Sequence, residues 1–322
     1  MSENNKEILG IHHITAIATD PQRNIDFYSR LLGLRLVKLT VNFDDPNTYH
    51  LYYGDEIGDP GTILTFFPWP GAPRGRLGTG QATAISFSIP EDSFEFWMEH
   101  FKLHRVEFHG PANCFSDQVL SFADPDGLRL ELVAHKGADA TRAWKEGPIP
   151  VEYAIRGFHG ITLSEQNSEL TNALLTDLFG FRHLREEENR CRYEAPGRSS
   201  ATLVDVIGLP EVPRGAIGAG SVHHVAWRTR NDEEQKTWRK KLVDVGLHVT
   251  PIIDRKYCHS IYFHEPGGVL FEIATDPPGF TVDESPAELG THLMLPPWLE
   301  STRSEVEQSL PKVHLPPISK IR

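Results

Sequence analysis

The chain has 322 residues, enough for two ordinary domains, and its 39% hydrophobic and 24% charged residues are typical of a soluble globular protein. A formal net charge of −12, without clusters of Lys or Arg, argues against nucleic acid or a membrane surface as a partner. We expect no membrane span and no signal peptide, because no apolar run is long enough and the first residues are polar. The three isolated cysteines predict neither a disulfide framework nor a thiolate zinc site, so a cytoplasmic location is expected.

A unit consisting of a strand, an amphipathic helix and further strands is repeated four times along the chain. In the first copy, a strand over 11–17 is followed by a helix that Asp20 caps and Gly33 ends. The other three copies begin with predicted strands over 83–87, 158–163 and 222–227. The repeat therefore predicts four related modules.

The modules suggest a division of the chain. Copies one and two are expected to form an N-terminal domain over 8–140, and copies three and four a C-terminal domain over 154–282. The proline-rich tail over 283–322 is expected to wrap the body, with one short helix near 299–310.

Two histidine doublets and one glutamate stand out among the predicted strands. His12-His13 and His223-His224 open the strands of copies one and four, and Glu272 follows on an apolar strand. Because neighbouring strand residues point to opposite faces, we expect only one histidine of each doublet to enter a common site, while the other faces away or flanks the pocket mouth. Any one of these residues alone is more often a hydrogen-bonded structural residue. Their joint placement at equivalent points of a repeat favours a divalent metal site.

On the motifs over 9–15, 221–225 and 265–272, the chain resembles the vicinal oxygen chelate superfamily of glyoxalase I, bleomycin-resistance proteins and extradiol dioxygenases. Within it, the chain is most similar to the hydroquinone ring-cleaving dioxygenases, over about 8–297. The resemblance implies an α+β fold of four βαβββ modules paired into two glyoxalase/dioxygenase-like domains. It also implies that modules one and four share the working cleft, and it makes a homo-oligomer plausible.

The resemblance implies a metal bound by His13, His224 and Glu272, with His12 and Tyr262 lining the substrate pocket as acid/base or orienting groups. His259 and His50 are weaker pocket candidates, and for His50 a structural role is favoured. The loop over 255–260 is shorter than in the chlorohydroquinone enzymes. Their pocket arginine has no clear counterpart here, because the candidate positions hold Tyr257, Cys258 and His259.

Modules two and three raise the question of a second metal site. Module two has Glu131 but carries Ala84 where module four has His224. The single His159 of module three aligns with His12 as easily as with His13. We expect no metal there, although His159 and Glu131 could meet through a hydrogen bond.

The ligand count bears on the reaction. Thr65 of module one stands where module four has Glu272, whereas a glyoxalase-type site, as the resemblance describes it, takes a carboxylate from each module. Two imidazoles and one carboxylate leave three positions of an octahedral metal for a small aromatic substrate and O₂, as in non-haem Fe(II) oxygenases; Mn(II) accepts the same ligands. We therefore expect a dioxygenase that opens hydroquinone- or catechol-type rings. The alternatives are a glyoxalase-like lyase or isomerase and a non-enzymatic quinone- or drug-binding protein.

Overall fold

The structure is a computed structural model that describes residues 7–138, 143–197 and 201–316. The predicted domain end at residue 140 and the end of the tail, 317–322, lie outside this part of the chain. Within it, each repeat forms a strand, a helix and three further strands, so the α+β fold of four βαβββ modules is confirmed. No helix among the described residues is both long and apolar enough to cross a membrane.

Modules one and two occupy the first part of the chain. The helices of module one are α1, Pro21–Ile25, which continues as a π-helical segment, Asp26–Leu31; the helix of module two is α2, Phe94–Leu103. The strands of module one are β1 Ile11–Ala18, β2 Arg35–Asn42, β3 Asp45–Gly54 and β4 Ile63–Pro68. Those of module two are β5 Gln81–Pro90, β6 Phe108–Cys114, β7 Asp117–Ala123 and β8 Arg129–His135.

Modules three and four repeat the pattern. Their helices are α3, Glu169–Ala173, which continues as a π-helical segment, Leu174–Leu178, and α4, Asp232–Asp244. The strands of module three are β9 Phe158–Glu165, β10 Arg182–Glu187, β11 Arg190–Glu194 and β12 Leu203–Gly208. Those of module four are β13 Val222–Thr229, β14 Ile253–Asp254, β15 His259–His264 and β16 Leu270–Thr275.

The strands form two eight-stranded sheets, and each sheet joins two modules that are not the halves expected from the chain order. The first sheet combines modules four and one in the order β14-β15-β16-β13-β1-β4-β3-β2. The second combines modules three and two in the order β10-β11-β12-β9-β5-β8-β7-β6. Strand pairing thus crosses between the predicted domains 8–140 and 154–282, whose boundaries remain a prediction. The shared cleft of modules one and four is confirmed by the β1–β13 pairing.

Apolar helix faces cover the sheets, as the helical spacing of these residues predicts. Tyr28 of module one, Trp97 of α2 and Trp238 of α4 are almost fully buried. Gly33 and Gly180 follow the helices of modules one and three with φ of +72° and +77°, values that favour glycine.

The tail packs on module one, as expected. The amide of Met294 donates to the carbonyl of Leu39, and the Tyr49 hydroxyl donates to the carbonyl of Pro311. The helix predicted near 299–310 is present as α5, Arg303–Ser309. Because α5 lies against β3, the tail buries the outer face of module one.

Candidate metal centre

Each histidine doublet lies at a β-bulge in the seam between β1 and β13. Ile11 pairs with Trp227 and His13 with Ala226, so His12 is an extra residue on β1. The same irregularity recurs on β13, where His223 is the extra residue. A bulge re-aims side chains that would otherwise alternate, and both histidines of each doublet line the same cavity. Strict alternation was therefore the wrong guide for the other member of each doublet, which lines the cavity wall, whereas only His13 and His224 cluster with Glu272.

The second histidine of each doublet meets Glu272 in a small triangle. Glu272 Oε2 lies 3.0 Å from His224 Nε2 and 3.4 Å from His13 Nε2, and the two nitrogens are 3.4 Å apart. Ligand bonds of about 2.1 Å at right angles place neighbouring ligand atoms roughly 3 Å apart. The triangle therefore has the dimensions of one face of an octahedral metal site.

The surroundings of Glu272 also fit a cation. Its side chain is 1% exposed, and Oε2 accepts no well-aligned hydrogen bond among the described residues. Burial opposes ionisation, but the imidazoles of His13 and His224 hold the pKa of Glu272 well below its ordinary value. Ser260 donates to the other oxygen, Oε1, and so orients the carboxylate. A buried carboxylate oxygen aimed at two imidazole nitrogens is a suitable ligand for a divalent metal.

The first histidine of each doublet holds the second in place. His12 Nδ1 lies 2.9 Å from His13 Nδ1, and His223 Nδ1 lies 2.8 Å from His224 Nδ1. Burial and the adjacent imidazole lower the pKa of both His12 and His223 to about 3, so both are neutral at physiological pH. Neutral His12 and His223 can accept a hydrogen bond from the Nδ1–H groups of His13 and His224. With the proton on Nδ1, the Nε2 atoms of His13 and His224 are unprotonated and free for a metal.

Module one places Thr65 where module four has Glu272. Thr65 pairs with Thr15 and Tyr52, as Glu272 pairs with Ala226 and Tyr262. Here the predicted equivalence of Thr65 and Glu272 agrees with the strand register. Thr65 shares hydrogen bonds of 2.8 Å with Thr15 and 2.9 Å with His50 Nε2.

His50, a weak pocket candidate, does line the cavity. Its Nδ1 lies 2.8 Å from the Tyr52 hydroxyl, and its ring packs against Phe67. Burial, followed by the imidazoles of His13 and His224, places the pKa of His50 well below its ordinary value.

The triangle lies in a cavity of about 700 Å³. Aromatic side chains from both modules form much of its wall: Tyr52, Phe67, Trp69, Tyr257, Tyr262 and Phe280. Phe67 and Trp69 line the cavity, whereas the nearby Phe66, Trp227 and Phe271 are fully buried in the core. The other half of the lining is polar, with imidazole, carboxylate and guanidinium groups, so the cavity can hold a small aromatic molecule that carries polar substituents.

An arginine reaches this cavity, contrary to the sequence-based expectation. Arg255 Nε donates to the Tyr262 hydroxyl over 3.2 Å, and its guanidinium also binds Asp44 at 2.9 Å. Burial raises the pKa of Tyr262 well above its ordinary value, and the nearby Glu272 raises it further, so the hydroxyl keeps its proton. We missed Arg255 because it precedes the three loop positions that we compared, although it is the first residue of the same loop.

His259 does not belong to the site. It is absent from the cavity wall, and its Nδ1 lies 2.7 Å from the Asp232 carboxylate at the start of α4. Residues alternate along β15, where Ser260 and Tyr262 face the cleft, so His259 points to the other side. The prediction of His259 as a pocket residue was wrong.

The second sheet contains an equivalent cleft with different contents. Its bulges make His159 the counterpart of His12, with Gly160 at the place of His13 and Ala84 at the place of His224. Glu131 accepts a hydrogen bond from Ser86. His159 instead lies 3.5 Å from Asp117, so the contact expected between His159 and Glu131 was wrong. Arg192 fills this cleft by pairing with Asp205 at 2.7 Å and with Asp117. The absence of a metal there remains a prediction.

The family model of the Glyoxalase/Bleomycin resistance protein/Dioxygenase superfamily matches residues 10–132 and 163–281 of this chain. The chain belongs to this superfamily. The resemblance inferred from the sequence motifs is therefore confirmed, and the paired βαβββ modules are the expected architecture.

Relatives in the superfamily match over nearly the full length. "Putative ring-cleaving dioxygenase MhqO" of Bacillus subtilis (strain 168) is 46% identical over 307 residues, which are 95% of this chain and 96% of that protein. Chlorohydroquinone/hydroquinone 1,2-dioxygenase of Sphingobium indicum is 34% identical over 314 residues, with 95% and 97% covered. The crystal structure titled "putative dioxygenase" from Bacillus subtilis subsp. subtilis str. 168 superposes with a TM-score of 0.93 at 44% identity, covering 97% and 99%.

Proposed function

We propose that this protein is a ring-cleaving dioxygenase that opens hydroquinone-type aromatic rings, with catechol-type rings as the nearest alternative, using a metal held by His13, His224 and Glu272. The observation that carries the proposal is the triangle of their ligand atoms, 3.0–3.4 Å apart, at the wall of an aromatic cavity. The names of the relatives, which include a hydroquinone dioxygenase, support the same reaction class.

The ligand set favours Fe(II), with Mn(II) as the other candidate. Two imidazoles and one carboxylate on one face of an octahedral ion are the arrangement used by non-haem iron oxygenases. Thr65 supplies no carboxylate from module one, and its hydroxyl is already engaged by Thr15 and His50. A bound iron would supply adjacent positions for a substrate oxygen and O₂ and the electron transfer between them.

Tyr262 and Arg255 are suited to hold an oxygen of the substrate. Because the Tyr262 hydroxyl accepts a hydrogen bond from Arg255, its own proton remains for donation into the cavity. The Arg255 guanidinium adds a positive charge beside the Tyr262 hydroxyl. This charge favours binding of the substrate oxygen as a phenolate rather than as a neutral phenol. The pair therefore binds and orients the oxygen at which negative charge develops.

His12 and His223 each contact one of the proposed histidine ligands, His13 and His224 respectively. Each is neutral at physiological pH, and each uses Nδ1 for the adjacent histidine. In His223, which is only partly buried, Nε2 carries the single proton of the neutral ring and can donate a hydrogen bond to a substrate oxygen. We assign His12, which is 5% exposed, mainly to holding His13 in orientation.

The aromatic wall would hold the ring itself. Phe67 and Trp69 lie on one side of the cavity, and Tyr52, Tyr257 and Phe280 form a second aromatic cluster. These side chains would exclude water and stack against a flat ring without discriminating between its substituents. A small substituted hydroquinone fits this composition better than a charged or extended substrate.

The test is oxygen consumption by protein reconstituted anaerobically with Fe(II). We expect O₂ uptake with hydroquinone or methylhydroquinone, one mole per mole of ring, and both atoms of ¹⁸O₂ in an open-chain product. Catechol and a hemithioacetal are assayed in parallel. If the protein isomerised the hemithioacetal with zinc and consumed no O₂ with any ring, the proposal would be wrong and the glyoxalase-like alternative would replace it.

A further inference from the structure

We propose that the protein has a second metal site, on the outer face of module three, where His183, Glu186 and Cys191 bind a divalent cation of the zinc class. Ligand atoms of these three side chains all lie within 4.8 Å of one another. Among the described residues, only one other group of histidine, cysteine and acidic side chains is clustered this closely, namely His13, His224 and Glu272.

Strand geometry brings the three side chains together. His183 and Glu186 lie on β10, and Cys191 lies on β11 directly opposite Glu186. Residues three apart on a regular strand point to opposite faces, but the register shifts between His183 and Arg185. That bulge places His183 on the same face as Glu186, so the hairpin presents imidazole, carboxylate and thiol side by side.

The same positions in module one show that this polar face is not required by the fold. In module one the strand register also shifts, between Leu36 and Lys38. The pair Leu36–Tyr53 therefore corresponds to His183–Tyr193, and the pair Leu39–Leu51 corresponds to Glu186–Cys191. The module-one residues are at most 5% exposed.

The tail accounts for the burial of the module-one face. Leu39 forms a bridge with Leu293, and α5 packs against β3. In module three, the corresponding face lines a groove of about 880 Å³.

The charges of the groove favour a cation. Glu169, Asp177 and Glu186 contribute carboxylates to its wall, and no Lys or Arg side chain is among the described residues that line it. Asn172 also lines the groove, and its Oδ1 is buried without a hydrogen-bond partner among the described residues. The field therefore attracts a positive ion.

The ligand types select the class of metal. A thiolate and an imidazole suit zinc and other borderline-soft transition metals, whereas calcium and magnesium take oxygen ligands. The Tyr193 ring contacts the His183 ring with centroids 5.3 Å apart, which would limit the orientations of this imidazole. Because the ligands come from both β10 and β11, the ion would crosslink β10, the edge strand of the second sheet, to β11.

The test uses Co(II) on metal-free Glu272→Gln protein, in which the first centre has lost its carboxylate. We expect a thiolate-to-cobalt charge-transfer absorption that saturates at one equivalent and disappears when Zn(II) is added. The band is expected to be absent in the Glu272→Gln/Cys191→Ser double variant. His183→Ala in the same background is expected to weaken Co(II) binding by more than about 100-fold. This loss exceeds the roughly 10–100-fold that follows when a residue that only hydrogen-bonds a ligand is removed.

Two matched controls locate the ion. Cys114→Ser removes the other half-exposed thiol, and Cys258→Ser removes the thiol beside the first centre; neither is expected to change the band. The proposal is wrong if Glu272→Gln protein shows no charge-transfer band, or if the band survives Cys191→Ser. Neither result depends on oxygen chemistry, so it would leave the proposed dioxygenase activity to its own test.

Discussion

His12 and His13 are hydrogen-bonded through their Nδ1 atoms, which lie 2.9 Å apart, although they are adjacent on one strand. Regular alternation would separate the two rings, and the bulge at His12 brings them together. When His13 Nε2 faces a metal, the proton of the His13 ring must sit on Nδ1, from which it forms a hydrogen bond to Nδ1 of neutral His12. The adjacent histidine thus fixes both the tautomer and the orientation of the proposed ligand.

His12 can be tested without removing a proposed ligand. We expect His12→Leu, which has no acceptor, to weaken metal binding by about 10–100-fold, the usual cost of losing an outer-shell partner. His12→Asn places an amide oxygen near the former Nδ1 and should recover part of the affinity. Metal dissociation constants from competition with a chelator provide the measurement. Equal affinities for His12→Leu and the wild type would contradict the orienting role.

Arg255 is expected to affect substrate rather than metal. Arg255→Ala should lower kcat/KM for hydroquinone by roughly 100-fold, the order of loss for a donor at developing negative charge, with metal content unchanged. Arg255→Lys should recover little, because the ammonium cannot reproduce the planar fork that serves both Tyr262 and Asp44.

Asp44→Asn is the matched control for Arg255. It removes the outer carboxylate and leaves the Tyr262 contact, so we expect a smaller loss of kcat/KM. If Arg255→Ala lost metal instead, or kept full kcat/KM, Arg255 would not be a substrate-binding residue.

Glu165 makes the stability of the protein fall as the pH rises. Its side chain is fully buried, neither oxygen has a well-aligned hydrogen-bond partner among the described residues, and burial together with Glu265 raises its pKa to about 8. The unfolded chain releases this proton near pH 4.3, whereas the folded chain retains it up to about pH 8, so stability declines between these values. Glu165→Gln should flatten the decline and stabilise the protein by about 4–5 kcal/mol at pH 8, because each pH unit across this interval costs about 1.4 kcal/mol.

Urea denaturation at pH 5 and pH 8 checks the effect of Glu165. Glu169→Gln, an exposed substitution on the neighbouring α3, should leave both values unchanged. A Glu165→Gln protein that is no more stable than the wild type at pH 8 would show that the carboxyl is ionised at little cost in the folded state.

Lys38 attaches the tail to the cavity wall. Its side chain is fully buried, and the ammonium binds Asp283 at 2.7 Å, Glu284, and the carbonyl of Phe280 at 3.2 Å. Removing the ammonium leaves the buried Glu284 carboxylate without its close cation, whereas Asp283 keeps its ion pair with Lys256. Lys38→Met should therefore lower the free energy of unfolding by about 3–5 kcal/mol. Because Phe280 lines the cavity, KM for the ring should also rise.

Neutralising Glu284, the buried partner of Lys38, is the control. The double variant Lys38→Met, Glu284→Gln should recover much of the unfolding free energy, because Asp283 still pairs with Lys256 and no buried charge is left alone. A single Lys38→Met substitution that cost less than about 1 kcal/mol would mean that the ion pairs contribute little net stability.

The repeat made much of the fold and the ligand set predictable. Modules one and four share local patterns, so the two histidine doublets, Glu272 and the missing carboxylate at Thr65 could be recognised by comparing one module with another. The choice of His13 and His224 within the doublets came from the family resemblance and remains a prediction. The strand register agrees with these equivalences. Which modules share a sheet followed from the family resemblance, whereas chain order alone suggested a different pairing.

Features that depend on long-range pairing could not be predicted. The bulges at His12 and His223 arise from the register between strands about two hundred residues apart, and local alternation gives the opposite answer. His259 was misplaced because its direction depends on which residues of β15 face the cleft. The clustering of His183 with Cys191 depends on a bulge that the hairpin sequence does not reveal.

The most direct test of the account is the metal content of Glu272→Gln protein beside Glu131→Gln, the equivalent substitution in the second cleft. Each protein is reconstituted anaerobically with Fe(II) and dialysed, and bound iron and O₂ uptake with hydroquinone are measured on the same sample. We predict about one Fe(II) per chain and O₂ uptake for the wild type and for Glu131→Gln, and loss of both for Glu272→Gln. Iron and oxygen uptake that survived in Glu272→Gln would contradict the proposed centre.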